Sequence, residues 1–223
     1  MRGLLFLLLF LSAGTETLIR AETPDLNPVR QWIGRASKIT SVEAVFIQER
    51  VLKTLNRPLT SPGRMWFKAP GSLRWQIGEP AKLIVIQAKK GAPLYVLDPS
   101  TKVARIFVAA ATSSRASQVL SFLEAGFPRS LDEFQQRFRI QSVERKESAI
   151  VVSGQLNDRR SAVAVMKVVF IIEPASYQLR QIEVWFRDGS KIINKMTQVI
   201  ENAAVPTSVF DVGLEGYRID QGD

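Results

Sequence analysis

The sequence predicts a mainly β protein of the α+β class, in which about eleven short strands form one strongly curled antiparallel sheet accompanied by a few helices. Short stretches of alternating apolar and polar residues recur along most of the chain, and Pro, Gly, Asn or Asp residues separate them. The connections are too short for the crossovers that parallel strands require. A sheet this long curls and presents a concave apolar face, which the helices could plug or cover.

Eleven segments have the composition and length of β-strands. In one of them Ile182, Val184 and Phe186 point to one side and polar residues alternate with them, which is typical of a strand with one buried face. Residues 187–190 (Arg-Asp-Gly-Ser) then provide a tight hairpin turn. The predicted strands cover residues 42–53, 62–68, 73–77, 82–88, 93–97, 102–108, 138–145, 149–155, 162–172, 178–187 and 190–201.

A first helix is predicted to begin at Pro28, near the N-terminus. Proline suits the first helical position, and Asn27 before it is a good N-cap. Apolar residues recur at helical spacing after it, so this helix should lay one apolar face on the sheet. That face consists of Val29, Trp32, Ile33 and Ala36.

The middle of the chain contains two further helical signals. Leu120 and Leu123 belong to one apolar stripe. Residues 130–133 (Ser-Leu-Asp-Glu) form a capping box that begins a second short helix. Asp132 and Glu133 in this box are the only adjacent acidic pair of the chain, and we interpret them as helix-capping rather than catalytic carboxylates.

Residues 1–21 have the order of a signal peptide. Arg2 gives a short positive region, an uncharged apolar run of about ten residues follows, and small and polar residues lead to Ala21. The apolar run is too short for a membrane-spanning helix, which needs about 20 residues. We expect cleavage after Ala21 and a soluble single domain of residues 22–223 outside the cytoplasm. Cleavage after Gly14, or retention of the segment as a short anchor, are the alternatives.

The chain contains no cysteine and no histidine. These absences exclude disulfide bonds, a lipid anchor on cysteine, Ser–His–acid and Cys–His catalysis, and the usual zinc sites. Paired carboxylates or a Ser–Lys pair remain the open enzymatic alternatives. The net charge of +9 suits anionic lipid headgroups or an acidic protein patch, and behind a signal peptide nucleic acid is not expected. Because the basic residues are scattered along the sequence, an unspecialised basic surface is an equally good interpretation.

Several short motifs occur in a characteristic order. Residues 45–49 (VFIQE) lead through a loop to 61–70 (SPGRMWFKAP), and then to 73–75 (LRW) and 94–99 (LYVLDP). A long last strand and a Val-Pro pair at 205–206 complete the pattern. In order and spacing these motifs resemble the LolA-type outer-membrane lipoprotein carriers of Gram-negative bacteria, and the resemblance spans essentially the whole mature chain.

The resemblance implies an open β-barrel with helices as a lid over an apolar hollow. Carriers of this type hold the acyl chains of lipoproteins in the hollow, and take them through the periplasm from an inner-membrane transporter to an outer-membrane acceptor. They are not enzymes and need no cofactor or metal. For this chain we therefore expect a monomeric periplasmic carrier with transient membrane-surface contact. The alternatives are a sensor or binding module of the same fold that acts through protein contacts, and a secreted hydrolase that uses carboxylates.

Two sets of candidate site residues follow. Leu120 and Leu123 are candidates for a plug that leaves the hollow when cargo enters. In the family an arginine before the hairpin proline is tied to lid closure, but Ala69 occupies that position here. Lys68 and Arg74, on either side of the turn, are the candidate replacements for this lid latch. The candidate lipid-binding residues are Trp66, Trp75, Leu120, Leu123, Ile182, Val184, Phe186 and Met196.

Overall fold

The computed structural model describes residues 24–107 and 127–221. The predicted signal peptide and the candidate plug residues Leu120 and Leu123 lie outside the described residues, so these assignments stay predictions. Nowhere in the two described ranges is there a helix long and apolar enough to cross a bilayer.

The described residues form twelve strands, three α-helices and one 3-10 helix. The strands are β1 (Ser41–Val51), β2 (Leu59–Lys68), β3 (Ser72–Ile77), β4 (Leu83–Gln87), β5 (Leu94–Asp98), β6 (Val103–Phe107), β7 (Phe138–Arg145), β8 (Ile150–Leu156), β9 (Val165–Ile172), β10 (Leu179–Phe186), β11 (Lys191–Glu201) and β12 (Arg218–Gln221). The α-helices are α1 (Asn27–Ala36), α2 (Leu131–Arg137) and α3 (Arg159–Ala164), and the 3-10 helix is Thr207–Phe210.

All twelve strands belong to one sheet, which curls without closing into a barrel. Its order is β12-β6-β5-β4-β3-β2-β1-β11-β10-β9-β8-β7, so β12 and β7 are the two unpaired edges. Hairpin-connected neighbours account for most of the order. There are two exceptions: β12 pairs with β6 at one edge, and at the centre β1 pairs with β11 although they stand near opposite ends of the described chain.

The predicted mainly β fold is confirmed, and all eleven predicted strands are present with small shifts at their ends. The twelfth strand was missed, and it pairs with β6 in parallel rather than antiparallel. It has only four residues, three of them polar, so it carries no alternating pattern. Residues 162–164, predicted to begin a strand, are helical and belong to α3. Val163 there is 75% exposed, which shows that an apolar residue next to a strand need not continue it.

Helix α1 buries the predicted apolar face but begins differently. The helix includes Asn27, and Leu26 occupies the N-cap position without a side-chain hydrogen bond. The predicted N-cap role of Asn27 is therefore wrong. Its own backbone N–H donates to Asp25 Oδ1 at 2.9 Å, so the aspartate supports the start of the helix. The buried residues of the apolar face are Val29, Trp32, Ile33 and Ala36, as predicted.

Helix α2 begins at the predicted capping box. Ser130 Oγ accepts a hydrogen bond from the backbone N–H of Glu133 at 3.0 Å. Glu133 Oε2 in turn accepts from the backbone N–H of Arg129 at 3.2 Å, one residue earlier than the usual reciprocal bond. Phe134 is the buried residue of this helix. Asp132 and Glu133 thus stand in the first helical turn, where acidic residues are favourable.

Cross-strand pairing shows which side chains share the concave inner face of the sheet. Phe46 on β1 lies opposite Met196 on β11, and Met65 on β2 lies opposite Trp75 on β3. Ala44 links the two pairs because it lies opposite Met65 and two residues from Phe46. Direct partners in an antiparallel pair point to the same face. The inner face is therefore continuous across the centre of the sheet.

Two hydrophobic clusters cover the inner face. The first cluster joins α1 and α2 to β8–β10, with Trp32 packed against Phe134 and Phe170 at ring-centroid distances of 5.4 and 5.2 Å. The second cluster lies on β1–β5 and contains Phe46 and Trp75, with ring centroids 4.0 Å apart. Helices α1 and α2 thus pack on the inner face, as predicted for helices on the concave side.

A third hydrophobic cluster lies on the opposite, outer face. Here residues 212–217 of the chain after β11 cross β4–β6 and bury the side of these strands that the interior does not use. Ile86 and Ala104 are fully buried beneath this segment. Strand β12 then attaches the segment to the sheet edge. Strands β4–β6 are therefore covered on both faces.

Candidate functional site

An interior cleft lies where the two inner clusters meet. Trp32, Ala36 and Leu179 approach it from the first cluster, and Phe127 lies at its edge. The strands β1, β2 and β11 and the turn before β1 supply the rest of its aliphatic lining. Those aliphatic residues are Ile39, Val42, Ala44, Met65, Met196 and Val199. The cleft is thus a seam in the interior and not part of either packed core.

The cleft is nearly closed. Its volume is about 20 Å³, which is on the order of the space that one water molecule needs. A long apolar ligand can therefore enter only if lining side chains move. Met65 and Met196 suit such movement, because unbranched methionine side chains adapt to irregular spaces.

Polar groups mark one end of the cleft. Arg35 in the last turn of α1 binds Glu201 Oε2 at 2.5 Å, and Gln178 Nε2 donates to Glu201 Oε1 at 3.0 Å. The side chains of Arg35 and Glu201 are 36% and 17% exposed, so this ion pair is partly removed from water. Among the described residues, Arg35 Nε is one of three buried side-chain polar atoms without a partner. This end of the cleft joins the apolar seam to a neutral, hydrogen-bonding rim.

The segment before α2 covers the other side of the cleft. Phe127 stacks on Phe67 of the second cluster with ring centroids 5.0 Å apart and planes 8° apart. Arg129 Nη1 donates to the backbone carbonyls of Ser37 and Ile39 at 3.0 and 2.9 Å. The Arg129 guanidinium also lies 5.8 Å from the centre of the Phe67 ring. These contacts clasp residues 127–129 onto the turn between α1 and β1.

Sequence reasoning did not identify Arg129 or Phe127. Both residues precede α2, in a stretch without alternation or helical spacing. The partners of Arg129 are backbone carbonyls about 90 residues earlier, so no local motif could indicate them. The available signal was a single arginine and phenylalanine beside a proline at 127–129 (Phe-Pro-Arg).

Apart from Trp66, the predicted lipid-binding residues fall into three groups. Trp75 belongs to the second cluster, and Met196 packs against it and lines the cleft. Ile182 and Val184 are buried in the first cluster with Phe186 packed against it, farther from the cleft. All five share the inner face. Leu120 and Leu123 lie outside the described residues.

Trp66 does not share this face. It lies opposite Glu43 on β1 and Arg74 on β3, whereas its neighbour Met65 lies opposite Trp75. Because successive residues of a strand point to opposite faces, Trp66 is on the outer face and is half-buried there. The structure therefore does not bring Trp66 and Trp75 together in one hollow.

The candidate latch residues also lie on the outer face. Arg74 Nη1 donates to the Val209 carbonyl at 3.2 Å, and Lys68 Nζ donates to the Val205 carbonyl at 3.3 Å. Burial lowers the pKa of the Arg74 guanidinium below its ordinary value. Both side chains thus hold the segment after β11 against β2 and β3. Neither side chain reaches the inner face, whereas Arg129 holds residues 127–129 over the cleft.

The described ranges contain no group of three or more acidic side chains arranged to hold a metal ion. Glu133 belongs to the capping box of α2, Asp132 stands in the first turn of that helix, and Asp98 and Glu173 bind a turn and a cation at the surface. Arg35, Glu201 and Gln178 are the polar groups nearest the apolar lining that bond to one another. The cleft therefore combines an apolar lining with one hydrogen-bonded polar end.

Comparisons with known proteins give one family. The family model described as outer membrane lipoprotein carrier protein LolA matches residues 37–212. A search of the curated proteins finds no match. Among solved structures, a DUF1329 family protein from Desulfovibrio piger is similar with a TM-score of 0.50 at 10% identity, and 82% of this chain and 94% of that chain are covered. This likeness concerns the fold alone.

Two further solved structures are similar at lower TM-scores. One is a Vibrio parahaemolyticus domain provisionally described as an outer membrane lipoprotein-sorting protein, with a TM-score of 0.49, 12% identity, and coverage of 83% of this chain and 95% of that chain. The other is a LolA superfamily protein from Nitrosomonas europaea, with a TM-score of 0.44, 11% identity, and coverage of 81% and 96%.

Proposed function

Because this chain belongs to the family of the outer membrane lipoprotein carrier protein LolA, we propose that it is a periplasmic carrier that holds the acyl chains of a lipoprotein or related lipid inside its curled sheet. The family groups carriers and binding proteins rather than enzymes. The observation that supports this role most directly is the apolar seam between the two inner clusters, which residues 127–129 cover on one side.

The energetics of the seam suit a carrier. Each buried CH₂ of an acyl chain contributes about 0.8 kcal/mol, so a chain of ordinary length would not escape into water at a useful rate. An empty carrier has the opposite problem, because an open apolar hollow would be costly to hydrate. A seam of about 20 Å³ that widens on binding avoids this cost. The side chains that separate on binding would exchange contacts with each other for contacts with the acyl chain.

Trp75 and Met196 are the predicted residues that we propose to contact cargo first, because Met196 lines the seam and Trp75 belongs to the cluster behind it. Ile182, Val184 and Phe186 would be reached only by a chain that extends into the first cluster. We propose Leu120 and Leu123 as the plug that leaves the hollow when cargo enters. Trp66 has no part in this proposal, since it lies on the outer face.

Filling the seam tests the proposal. Ala44 is 2% exposed and lines the cleft, so Ala44→Leu should occupy the space that an acyl chain needs. We expect this variant to bind a fluorescent fatty acyl probe on the order of tenfold more weakly, because about three methylene volumes are already filled. The measurements are probe titration and thermal melting of the purified protein.

Ala104→Leu is the matched control. Ala104 is also a fully buried strand alanine, but it lies in the outer cluster under residues 212–217. Overpacking either site should cost about 1–3 kcal/mol of stability, whereas only Ala44→Leu should weaken probe binding. Equal weakening in both variants would contradict the seam as the binding site. A wild-type protein that binds no acyl probe would end the carrier proposal.

The location of the protein is the second part of the proposal. Residues 1–21 have the order of a signal peptide, and the family is that of outer membrane lipoprotein carriers. We propose export to the periplasm with cleavage after Ala21. N-terminal sequencing of the exported protein should begin at Glu22, and a full-length chain that stays with the membrane fraction would contradict this location.

A further inference from the structure

The topology gathers three distant stretches of sequence at one end of the sheet. Residues 50–60 connect β1 to β2, residues 158–167 contain α3 and the start of β9, and residues 185–191 form the β10–β11 hairpin. Val51 pairs with Lys191, and Trp185 pairs with both Lys191 and Lys167. We call the surface formed by these three stretches the hairpin end.

Side-chain and backbone contacts join the three stretches. A Cβ atom placed on Gly189 would lie 2.3 Å from the Cε atom of Lys53, so the β1–β2 loop touches the hairpin. Arg187 donates from Nε to the Ala162 carbonyl and from its backbone N–H to the Ala164 carbonyl, at 3.0 and 2.9 Å. The hairpin therefore lies between α3 on one side and the loop on the other. The hairpin end is one continuous surface.

This surface is strongly basic. Its three stretches contain eight Lys and Arg residues and two Asp residues, and they supply most of the net charge of +9 that the whole chain carries. Arg50, Lys53, Arg57, Arg159 and Arg187 are exposed. A concentration of this size attracts anionic surfaces over about a Debye length.

The same surface exposes apolar side chains. Of the six exposed large hydrophobic residues in the described ranges, four lie here: Leu55 at 43%, Leu59 at 47%, Val163 at 75% and Met166 at 38% exposed. Large apolar side chains that stay in water next to cations are typical of a surface that enters a lipid interface.

Trp185 contacts two of the lysines of this surface. The Nζ atoms of Lys167 and Lys191 are 4.7 and 4.5 Å from the centre of its ring. Its Nε1 donates to Glu183 Oε2 at 2.7 Å, so the indole is half-buried and held in one orientation. Tryptophan with an apolar body and a bonded N–H is favoured at the level of lipid headgroups, and lysines extend their ammonium groups to the same level.

We propose that the hairpin end docks on a membrane surface that contains anionic lipids. The cations contact headgroup phosphates, and Leu55, Leu59, Val163 and Met166 enter the interface beside them. Charge complementarity and the exposed aliphatic residues favour lipid over an acidic protein, because lysine is depleted in the cores of protein–protein interfaces. This inference adds a docking surface to the proposed carrier and does not depend on what the interior binds.

Vesicle sedimentation tests the docking surface. The wild-type protein should bind vesicles of phosphatidylcholine mixed with phosphatidylglycerol and leave vesicles of phosphatidylcholine alone largely unbound. Lys53→Gln/Arg57→Gln removes two exposed charges from the β1–β2 loop. The acidic group that Lys53 influences is Asp188 in the neighbouring hairpin. Since one cation near an anionic surface contributes about 1 kcal/mol, this variant should lower the partition coefficient by about thirtyfold.

Lys89→Gln/Lys90→Gln is the matched control, because these two exposed lysines lie in the β4–β5 turn at the opposite end of the sheet. It has the same net charge as the test variant and should retain most of the binding. Equal loss in the two variants would show attraction by net charge alone and overturn the proposal. So would a wild-type protein that does not prefer the anionic vesicles, which would favour an acidic protein partner instead.

Leu55→Ser/Leu59→Ser tests the apolar contribution. High salt screens the charges, so the vesicle binding that the wild-type protein retains at high salt depends on the apolar residues. The Leu55→Ser/Leu59→Ser variant should lose that binding. Binding of the acyl probe should be unchanged in all three variants, because none of the altered residues lines the interior cleft. Vesicle binding by a protein that takes up no acyl probe would overturn the carrier role and leave the docking surface standing.

Discussion

At the scale of the residue, Gly63 shows why one motif of the sequence has its form. Gly63 faces the interior opposite Phe46, and a Cβ at this position would come within 2.1 Å of the Phe46 ring. The ring uses this space to reach Trp75, with centroids 4.0 Å apart. Gly63 does not have a positive φ, so the close approach of the ring and not the backbone conformation requires glycine.

Gly63→Ala should therefore destabilise the protein by about 1–3 kcal/mol, as overpacking of a dense core does. Urea unfolding measures the change. The double variant Phe46→Leu/Gly63→Ala should lose less stability than the sum of the losses in the two single variants, because the smaller side chain leaves room for the new methyl group. Gly213→Ala serves as control, since no atom lies within 4 Å of its Cβ position. Equal stability of Gly63→Ala and Gly213→Ala would contradict the explanation.

The two tryptophans of the motif show how far residue-level prediction reaches. Both were predicted to bind lipid, and the structure places Trp75 in the interior, where it is 2% exposed, and Trp66 on the outer face. The strand of Trp66 gave a usable signal for its face, because Arg64 and Lys68, two residues away on either side, share that face. Period-two alternation places all three outside. Aromatic character alone predicted burial but could not predict which face was buried.

At the scale of the element, the short segment before α2 determines access to the seam. Arg129 binds two carbonyls at the α1–β1 turn, and its Nη2 is buried without a partner. The unpartnered atom carries a desolvation cost, so the clasp is weaker than its number of contacts indicates. Phe127 adds a stacked contact that an acyl chain could replace.

Arg129→Met should loosen this cover. Methionine keeps a long apolar side chain over Phe67 but donates no hydrogen bond to Ser37 or Ile39. We expect faster binding of an acyl probe in stopped-flow mixing and a loss of about 1–3 kcal/mol in stability.

Arg139→Met is the control for this prediction, because Arg139 is exposed and its Nη2 donates to Gln155 Oε1 on the neighbouring strand. It removes one surface hydrogen bond and should alter the probe association rate little. If Arg129→Met and Arg139→Met associate with the probe at the same rate, Arg129 does not control access.

Elements with a local signal were predicted well, and those without one were missed. Strand alternation and the capping box at 130–133 depend on neighbours in sequence, so eleven strands and the start of α2 were found. Strand β12 has four residues and exists because the preceding segment crosses the sheet and delivers it to β6. The clasp of Arg129 likewise depends on a turn about 90 residues away. Such elements follow from tertiary packing rather than from propensity.

At the scale of the whole molecule, the interior is divided rather than uniform. The first cluster contains Trp32 and Phe170, the second contains Phe46 and Leu73, and the clusters share no buried residue. The seam runs between them along β1 and β11. A domain of this length with one undivided core would leave no interior place for a ligand.

This division predicts additivity between the clusters. Leu73→Ala should cost about 2–5 kcal/mol and Ile150→Val about 0.5–1.5 kcal/mol. Their combination should equal the sum to within about 0.5 kcal/mol, because the two residues lie in different clusters. Denaturant unfolding of the single and double variants measures it.

Ile150→Val combined with Ile172→Val is the comparison within one cluster, because these two residues are direct partners on β8 and β9. Their combined effect should depart from the sum, as expected for residues in contact. Strong coupling between Leu73 and Ile150 would instead show one continuous core.

The charge distribution of the whole molecule could not be predicted from the sequence. Lys53, Lys167 and Lys191 are far apart along the chain, and each stretch by itself is an ordinary basic loop or strand end. Antiparallel pairing of β1 with β11 and of β10 with β9 brings them to one end. The interpretation of the charges as scattered was correct for the sequence and wrong for the folded protein.

The central pairing of β1 with β11 also sets an order of events. Gln48 and Asn194, buried partners at 3.0 Å on these strands, are 146 residues apart in sequence. When the chain emerges with its N-terminus first, β1 therefore keeps one unpaired, partly apolar edge until β11 has also emerged. Such an edge invites pairing with other chains, and contacts this distant in sequence form slowly. The early strands must therefore be protected by a chaperone or stay extended. A chain that stays extended can still be threaded through a narrow pore.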